Sequence, residues 1–481
     1  MPLIRGRVVD QPTGGLLEAK VHVLDAGGRP AFPTDAMRKV GPGLSGFYTD
    51  GEFTLEVPSG LTTIWAERGT EYEPFEATLR VGFGLPTELT IPLRRWTWLP
   101  QMGWYPGNTH IHYDEREDKP DDRLRLDPRV HNLHVTVISI LQRRDLPYAI
   151  NKYPVGLLTD FTSAHHVVDC GEENRHNKEP WEIGYGHVIF LRLLEPVLPI
   201  SRGVLVDDSD PDYPPLCYAC DEANRQGGLA IWCHNGAGME APVAAILGKL
   251  DAFNLFDPYW VMPEEYTVWY HLLNCGVRLP ASTGSDWYIC SNNRVYVHIG
   301  EVFTYEAWLK GLQAGRTFIT NGPALFIKAG DSGPGDTVSG VKGDHWEVEV
   351  TWQSHYPLES LELVFNGQVV SSQVYPEGSR QGEWRIPLKV GEDGWLAARA
   401  FSRRRDSFYQ PLFAHTSPIW CQVDCPSRAR SSSAAFFVQS LDQAAEWVNT
   451  LGKFGSPRQQ AEVLDLFKSA QAAYLGLLHK G

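Results

Sequence analysis

The feature that most constrains the fold is an alternation of short apolar segments with segments of helical spacing between about residues 98 and 324. The strand candidates are Asn132–Leu141, His165–Gly171, His187–Leu194, Gly228–Cys233, Ala252–Leu255, Leu279–Thr283 and Arg294–Ile299. The helix candidates are Leu216–Gln226, Glu264–Asn274 and Tyr305–Ala314. Strands that alternate with helices favour a largely parallel sheet, which we expect to close as a barrel with its site where the strands end.

Both flanks of this region are predicted to be β-rich. Residues 1–97 contain short strand candidates separated by Gly and Pro clusters, and residues 325–427 contain more, so each flank is predicted to be a sandwich. A polar linker is expected at 428–433, followed by a helical hairpin that packs on the chain itself or, alternatively, at a subunit interface. The predicted domains are therefore 1–97, 98–324, 325–427 and 428–481, a multidomain combination of α/β and all-β.

Composition argues against two classes of partner. Lys and Arg number 43 and Asp and Glu number 58, a net charge of −15 that repels nucleic acid and anionic lipid. No secretory signal is recognisable, and no stretch approaches the roughly 18 apolar residues that span a bilayer. Cys217 and Cys220 have metal-like spacing but lie in a predicted helix without a second pair. We expect a cytoplasmic protein and leave a homo-oligomer open.

One short motif predicts a metal site. His110 and His112 are separated by one apolar residue, so on a strand both imidazoles lie on the same face. Two imidazoles placed in this way can bind one metal ion. Such an ion needs further ligands, usually a carboxylate and more imidazoles.

Other predicted strands of the central region supply these ligands near their ends. Glu173 follows one strand, His187 opens the next, His234 ends a third and Asp286 follows a fourth. Each residue alone has a structural explanation, such as a helix cap for Asp286 or a core position for His187. Together with the histidine pair they predict a site for one or two divalent ions, with zinc or manganese suited to mixed imidazole and carboxylate ligands.

The same residues resemble the CehA/McbA-type metallohydrolases of the polymerase-and-histidinol-phosphatase (PHP) superfamily. The matching motifs are His110-x-His112, Gly171-x-Glu173, Gly186-His187-Val188, His234-Asn235-Gly236 and Gly284-Ser285-Asp286. The resemblance implies a distorted seven-stranded β/α barrel. It also implies one metal on His110, His112, Glu173 and Asp286, and a second on Glu173, His187 and His234. The N-terminal module separately resembles carboxypeptidase-regulatory-like sandwiches.

The chain departs from this family at a third metal site. Tyr288 stands where relatives have a histidine, and the segment from Ile140 to Asp145 lacks their Asp-His pair. The resemblance therefore implies at most two metals. Tyr288 is a candidate hydrogen-bond donor to an oxyanion or leaving group, while Arg144 and Asp145, after a predicted strand, are candidates for substrate contact.

The predicted function is metal-dependent hydrolysis of an ester, amide or carbamate of a small molecule. The resemblance implies carbamate and related cleavage, and the many aromatic residues near the proposed ligands suit a small organic ligand. The sequence lacks a dense arginine set near these ligands, which argues mildly against a phosphate ester. A phosphoesterase is the first alternative, and a carbohydrate- or cell-wall-binding protein with a non-catalytic barrel is the second.

Overall fold

The computed structural model of the chain describes residues 1–113, 117–144, 146–179, 182–257, 263–287, 290–300 and 302–478. It is a mixed α/β structure with a curled central sheet, β-sheets on both flanks and two long C-terminal helices, in agreement with the predicted combination of α/β and all-β regions. Within these ranges, no helix combines the length and the apolar character needed to cross a membrane.

The N-terminal region forms two four-stranded sheets around a shared apolar core. Its strands are β1 (Leu3–Asp10), β2 (Ala19–Leu24), β3 (Phe47–Thr49), β4 (Glu52–Glu56), β5 (Gly60–Glu67), β6 (Tyr72–Glu73), β7 (Phe75–Val81) and β8 (Thr87–Arg95). The strand orders are β4-β1-β8-β6 and β3-β2-β5-β7. Buried and exposed residues alternate along β4, because one face packs on the core and the other meets solvent.

The central region contains eleven strands and five α-helices among the described residues. The strands are β9 (Trp104–His112), β10 (Val135–Ile140), β11 (Gly156–Leu157), β12 (Val167–Glu179), β13 (Glu182–Leu191), β14 (Ser201–Gly203), β15 (Leu229–Trp232), β16 (Ala252–Asn254), β17 (Ala281–Ser282), β18 (Asp286–Trp287) and β19 (Arg294–His298). The helices are α1 (Pro120–Val130), α2 (Leu216–Arg225), α3 (Ala241–Ile246), α4 (Thr267–Asn274) and α5 (Tyr305–Gln313).

The central sheet is largely parallel, as expected, but three of its strands pair antiparallel: β13, β11 with β12, and β19 with β9. Parallel pairs join β18, β9, β10 and β12, and others join β15, β16 and β17. β13 lies between β12 and β15 and is antiparallel to both. The sheet curls until the chain after β17 reaches β9, where the Ser285 amide donates to the His110 carbonyl at 2.9 Å.

Two predicted strands of this region were misplaced. The strand expected to end at Gly171 runs on to Glu179, so Glu172 and Glu173 lie inside β12 and not in a turn. His187, expected to open its strand, lies in the middle of β13. Both faces of β12 are buried, so its polar residues show no alternation with solvent-facing positions, and that alternation is what marks a strand in a sequence.

The C-terminal β-region continues the hydrogen bonding of the central sheet. Its strands are β20 (Thr317–Thr320), β21 (Ala324–Ala329), β22 (Thr337–Ser339), β23 (His345–Phe365), β24 (Gln368–Lys389), β25 (Gly394–Arg405), β26 (Pro411–Thr416) and β27 (Ile419–Gln422). β20 pairs with both β19 and β26, so strand pairing crosses the boundary predicted at 325. The predicted turn at Asn366 and Gly367 joins β23 to β24, and both residues have positive φ, of 49° and 81°.

The chain ends in an antiparallel helical pair, α6 (Arg428–Thr450) and α7 (Pro457–Leu478). The polar linker expected at 428–433 is wrong, because these residues form the first turns of α6, where the Ser427 side chain accepts from the Ala429 amide. Ser433 is buried, and its hydroxyl lies 2.9 Å from Nδ1 of His271 on α4. The Tyr474 hydroxyl donates to the Pro242 carbonyl at 2.7 Å, so the hairpin packs on the chain itself.

Candidate metal centre

The two histidines of β9 lie side by side in the interior. Their Nε2 atoms are 3.1 Å apart, and both side chains are completely buried. Strand geometry places them on one face, as the sequence predicts.

A carboxylate from each side meets this pair. Glu173 Oε2 on β12 lies 3.0 Å from His112 Nε2, and Asp286 Oδ1 lies 3.4 Å from His110 Nε2 and 3.6 Å from His112 Nε2. Gly284 permits the approach of Asp286, because a Cβ there would collide with the His110 side chain. Asp286 itself has a φ of 55°, an uncommon backbone conformation for a residue with a side chain.

The other oxygen of Glu173 meets the remaining two predicted ligands. Glu173 Oε1 lies 2.9 Å from His187 Nδ1 and 3.4 Å from His234 Nε2, and these two nitrogens are 3.0 Å apart. His234 follows β15 with a φ of 53°. The six predicted ligands are therefore gathered in one cluster, although they come from positions between His110 and Asp286.

The outward nitrogen of each imidazole contacts an oxygen. His112 Nδ1 lies 2.8 Å from the Ser139 carbonyl, His187 Nε2 lies 2.7 Å from Asn177 Oδ1, and His234 Nδ1 lies 3.2 Å from the Asp257 carbonyl. His110 Nδ1 lies 2.8 Å from Asp257 Oδ2. Carbonyl and carboxylate oxygens accept hydrogen bonds, so these four nitrogens carry the protons and, in neutral rings, the inward nitrogens carry lone pairs.

These donors fit a metal ion. Glu173 Oε2 and Asp286 Oδ1 are buried without a hydrogen-bond partner among the described residues, a costly arrangement that a cation would relieve. His110, His112 and Asp286 each offer a ligand atom within 4.8 Å of the others. Cys233 is itself a member of two similar groups of three, one with His110 and Asp257 and one with Glu173 and His234. Burial raises the pKa of its thiol and so disfavours the thiolate that binds metal.

The electrostatics also favour a cation. Burial opposes the charged form of His234, yet its hydrogen bond to Glu173 and the charges of Asp257 and Asp286 raise its pKa to about 10. Burial similarly opposes ionisation of Glu173, but Arg175 and His187 hold its pKa well below the usual range. Burial and Arg175 lower the pKa of His187 to about 3, which keeps that ring neutral and able to donate a lone pair.

Sequence reasoning missed Asp257, which contacts both halves of the cluster. Its Oδ2 accepts from His110 Nδ1, and its Oδ1 accepts from the His234 amide at 2.9 Å. The amide of Asn254 donates to Oδ2 at 3.0 Å and holds the carboxylate in place. The signal was present, because Asp257 follows a predicted strand just as Asp286 does.

Of the three predicted catalytic residues, the structure describes only Arg144, which is not among the residues that contact the cluster. Tyr288 and Asp145 lie outside the described residues. Arg144 is half exposed and forms an ion pair with Asp208 at 2.7 Å. Of the predicted aromatic residues, Trp287 contacts the cluster, with its ring 5.0 Å from that of His112, whereas Trp232 is a buried core residue.

A cavity of about 470 Å³ opens between the central and C-terminal regions, lined by Phe256, Tyr266, Arg399, Phe413 and neighbouring residues. None of the six predicted ligands lines it.

Comparison with known proteins adds no relative that bears on this site. No protein-family model matches the chain, and no curated protein matches it. Among solved structures, the chain is similar to a β-glucuronidase from Parabacteroides merdae at 12% identity, covering 86% of this chain and 60% of that one, with a TM-score of 0.15. A likeness at that level carries no information on fold or activity.

Proposed function

We propose that the protein is a metal-dependent hydrolase of the CehA/McbA type, with a PHP-like barrel, that cleaves an ester, amide or carbamate of a small organic compound. The observation that supports it best is the set of four imidazoles with their N–H groups directed outward and their other nitrogens directed toward Glu173. Histidine ligands of metals are usually oriented by such outer hydrogen bonds.

The ligands divide into two groups that share Glu173. His110, His112 and Asp286 would hold one ion with one oxygen of Glu173, and His187 and His234 would hold another with the second oxygen. Divalent ions bound there would supply an activated water and polarisation of the scissile carbonyl.

The surrounding residues hold and shield these ligands. Asp257 accepts the Nδ1 proton of His110, and Ser139 accepts that of His112, so neither ring can turn without losing a hydrogen bond. The complete burial of both rings excludes bulk water, and Trp287 forms one aromatic wall beside them.

The test combines metal content with a matched pair of variants. Purified protein is expected to carry zinc or manganese and to hydrolyse nitrophenyl acyl esters or carbamates. His234→Ala should reduce turnover by more than about 100-fold. Loss of a residue that only orients a ligand already costs up to about 100-fold, and His234 is itself a predicted ligand. His345→Ala is the control, because His345 is an exposed residue at the start of β23. Undiminished turnover in folded His234→Ala would mean that the site is misassigned.

A phosphoesterase is the second candidate, and Arg175 favours it. This buried guanidinium lies 3.4 Å from Glu173 Oε2. The sequence predicted Arg144, and not Arg175, as the arginine that contacts the substrate. A parallel assay with bis-nitrophenyl phosphate separates the candidates, because turnover of phosphate esters alone would overturn the first.

A further inference from the structure

Arg175 is a buried cation at the edge of the candidate metal centre. It lies two residues after Glu173 on β12, so its side chain is on the same face as that ligand. Arg175 is only 4% exposed, and its cross-strand partner on β13 is the predicted ligand His187. The guanidinium therefore faces the cluster.

The hydrogen-bonding capacity of Arg175 is largely unused. Its Nε lies 3.4 Å from Glu173 Oε2, close enough for charge attraction, yet neither Nε nor Nη1 has a hydrogen-bond partner among the described residues. Burying an ionised donor without partners is costly. A structural role alone therefore does not explain why this arginine is buried here.

Two other buried arginines show what a structural role looks like in this chain. Arg202 Nη2 donates to Asn174 Oδ1 at 2.6 Å and to the Pro199 carbonyl at 2.8 Å. Arg294 donates from Nε to the Asn292 carbonyl at 2.9 Å and from Nη1 to the His131 carbonyl at 2.8 Å. Both are anchored by carbonyl oxygens, although one nitrogen of each also lacks a partner among the described residues. Arg175 has no carbonyl anchor of this kind within the part of the chain that the structure describes.

The guanidinium of Arg175 also lies near an aromatic ring. The guanidinium carbon lies 5.9 Å from the centre of the Trp287 ring, which in turn lies 5.0 Å from the ring of His112. Trp287 is partly exposed, whereas Arg175 and His112 are buried. Arg175, Trp287 and His112 thus bring a cation, an aromatic ring and one of the predicted ligands close together.

The charge balance at the cluster calls for an anion. Glu173, Asp286 and Asp257 contribute three negative charges, and two divalent ions with Arg175 would contribute five positive ones. Neutral imidazoles add nothing, so the loaded site would be cationic. A guanidinium binds carboxylate or phosphate oxygens through paired N–H groups.

We propose that Arg175 binds an anionic oxygen of the substrate, so that the substrates of this hydrolase carry a carboxylate or a phosphate group next to the scissile bond. This inference rests on the proposed function for the identity of the reaction. The binding of the anion does not require the reaction, because it depends on Arg175, its surroundings and the charge of the metal-loaded site.

Direct binding to the purified full-length protein tests the inference. Zinc-loaded protein is titrated calorimetrically with benzoate, with inorganic phosphate and with neutral benzamide. Arg175→Gln is expected to weaken one of the two anions by about tenfold or more, since it removes charge-assisted hydrogen bonds, and Arg175→Lys by less, since it keeps the charge. Arg192→Gln is the control, because Arg192 is half exposed and pairs with Glu306 at 3.0 Å. Zinc content is measured for every variant.

The outcomes separate the inference from the proposed function. The preferred anion identifies the substrate group, and retention of zinc by Arg175→Gln shows that the loss concerns the anion. Unchanged binding of both anions in Arg175→Gln overturns the inference. Loss of zinc with unaltered anion binding also overturns it, because Arg175 would then only support Glu173. Wild-type protein that binds an anion through Arg175 but hydrolyses no ester contradicts the proposed function alone.

Discussion

Two buried groups of charged side chains in this molecule differ in how their charges are satisfied. At the junction of the N-terminal and C-terminal β-regions, Lys20 Nζ lies 2.6 Å from Glu67 Oε1 and donates to the Ser407 hydroxyl at 3.0 Å. Burial opposes ionisation of Glu67, but Lys20 and His22 hold its pKa well below the usual range. This group supplies its own cation.

The metal-centre cluster is arranged in the opposite way. Four imidazoles and two carboxylates converge with their ligand atoms facing each other. The buried cation beside them, Arg175, lies 3.4 Å from Glu173 Oε2, and neither its Nε nor its Nη1 has a hydrogen-bond partner among the described residues. The contrast indicates that a buried cluster of acceptors is a site for a cation from outside, whereas a cluster with its own lysine joins parts of the fold.

The largest expected effect is on activity and metal content. Glu173→Gln removes one negative charge from the carboxylate shared by both ligand groups, so we expect turnover to fall by about 1,000-fold or more and metal to fall well below the wild-type content. Elemental analysis and ester hydrolysis measure both. A variant that keeps its metal and its turnover would contradict the central position of Glu173.

The same chemical change at the junction should act on stability alone. Glu67→Gln leaves Lys20 buried without its counter-charge, and breaking a buried ion pair in this way costs about 3–5 kcal/mol. Urea unfolding should show that loss in the free energy of unfolding, while metal content and turnover per folded molecule stay at wild-type values. A change in metal content would remove the distinction between the two clusters.

A smaller effect, on metal affinity, is expected at Asp257, which accepts hydrogen bonds from His110 and His234. Asp257→Asn weakens the hydrogen bonds that orient His110 and His234, and loss of such a residue lowers metal affinity by roughly 10- to 100-fold. Competition with a chelator measures the affinity. Asp221→Asn is the control, because Asp221 pairs with Lys249 at the surface. Equal affinities in the two variants would show that Asp257 does not hold the ligands.

The smallest effect concerns pH. Burial raises the pKa of Glu240 to about 7, so the fold favours its protonated form. Its contribution to stability is complete below the pKa of the unfolded chain and is lost as the pH rises through about 7. We expect Glu240 to contribute roughly 1–2 kcal/mol to the fall in the free energy of unfolding between pH 5.5 and 7.5. Glu71, Asp127 and Glu172, whose pKa values burial also raises to about 7, add to the same fall. Urea unfolding of Glu240→Gln should show a weaker pH dependence, and an unchanged dependence would assign it to other groups.

Local patterns in the sequence predict much of this fold. Helix α2 has buried residues at helical spacing, and Cys217 and Cys220 are two of them, which explains their spacing without a metal. The turn at Asn366 and Gly367 has the residues that positive φ requires. Two patterns indicate the six ligand candidates: same-face alternation for His110 and His112, and positions near predicted strand ends for the other four. The second pattern finds Glu173 and His187 even though both lie inside their strands.

The parts that were missed depend on tertiary structure. β12 has both faces buried, so its polar sequence does not resemble a strand, and Arg175 could not be placed on the face of Glu173. The position of Asp257 depends on the return of the chain after β16 toward β9 and β15, and that path is set by packing.

The central claim is that Glu173 lies at the middle of a metal site, and anomalous diffraction from crystals of the wild-type protein tests it most directly. The account predicts one or two peaks at the zinc or manganese edge, each within about 2.3 Å of imidazole nitrogens from His110 and His112 or from His187 and His234. Well-ordered density for these side chains with no anomalous peak between them would contradict it.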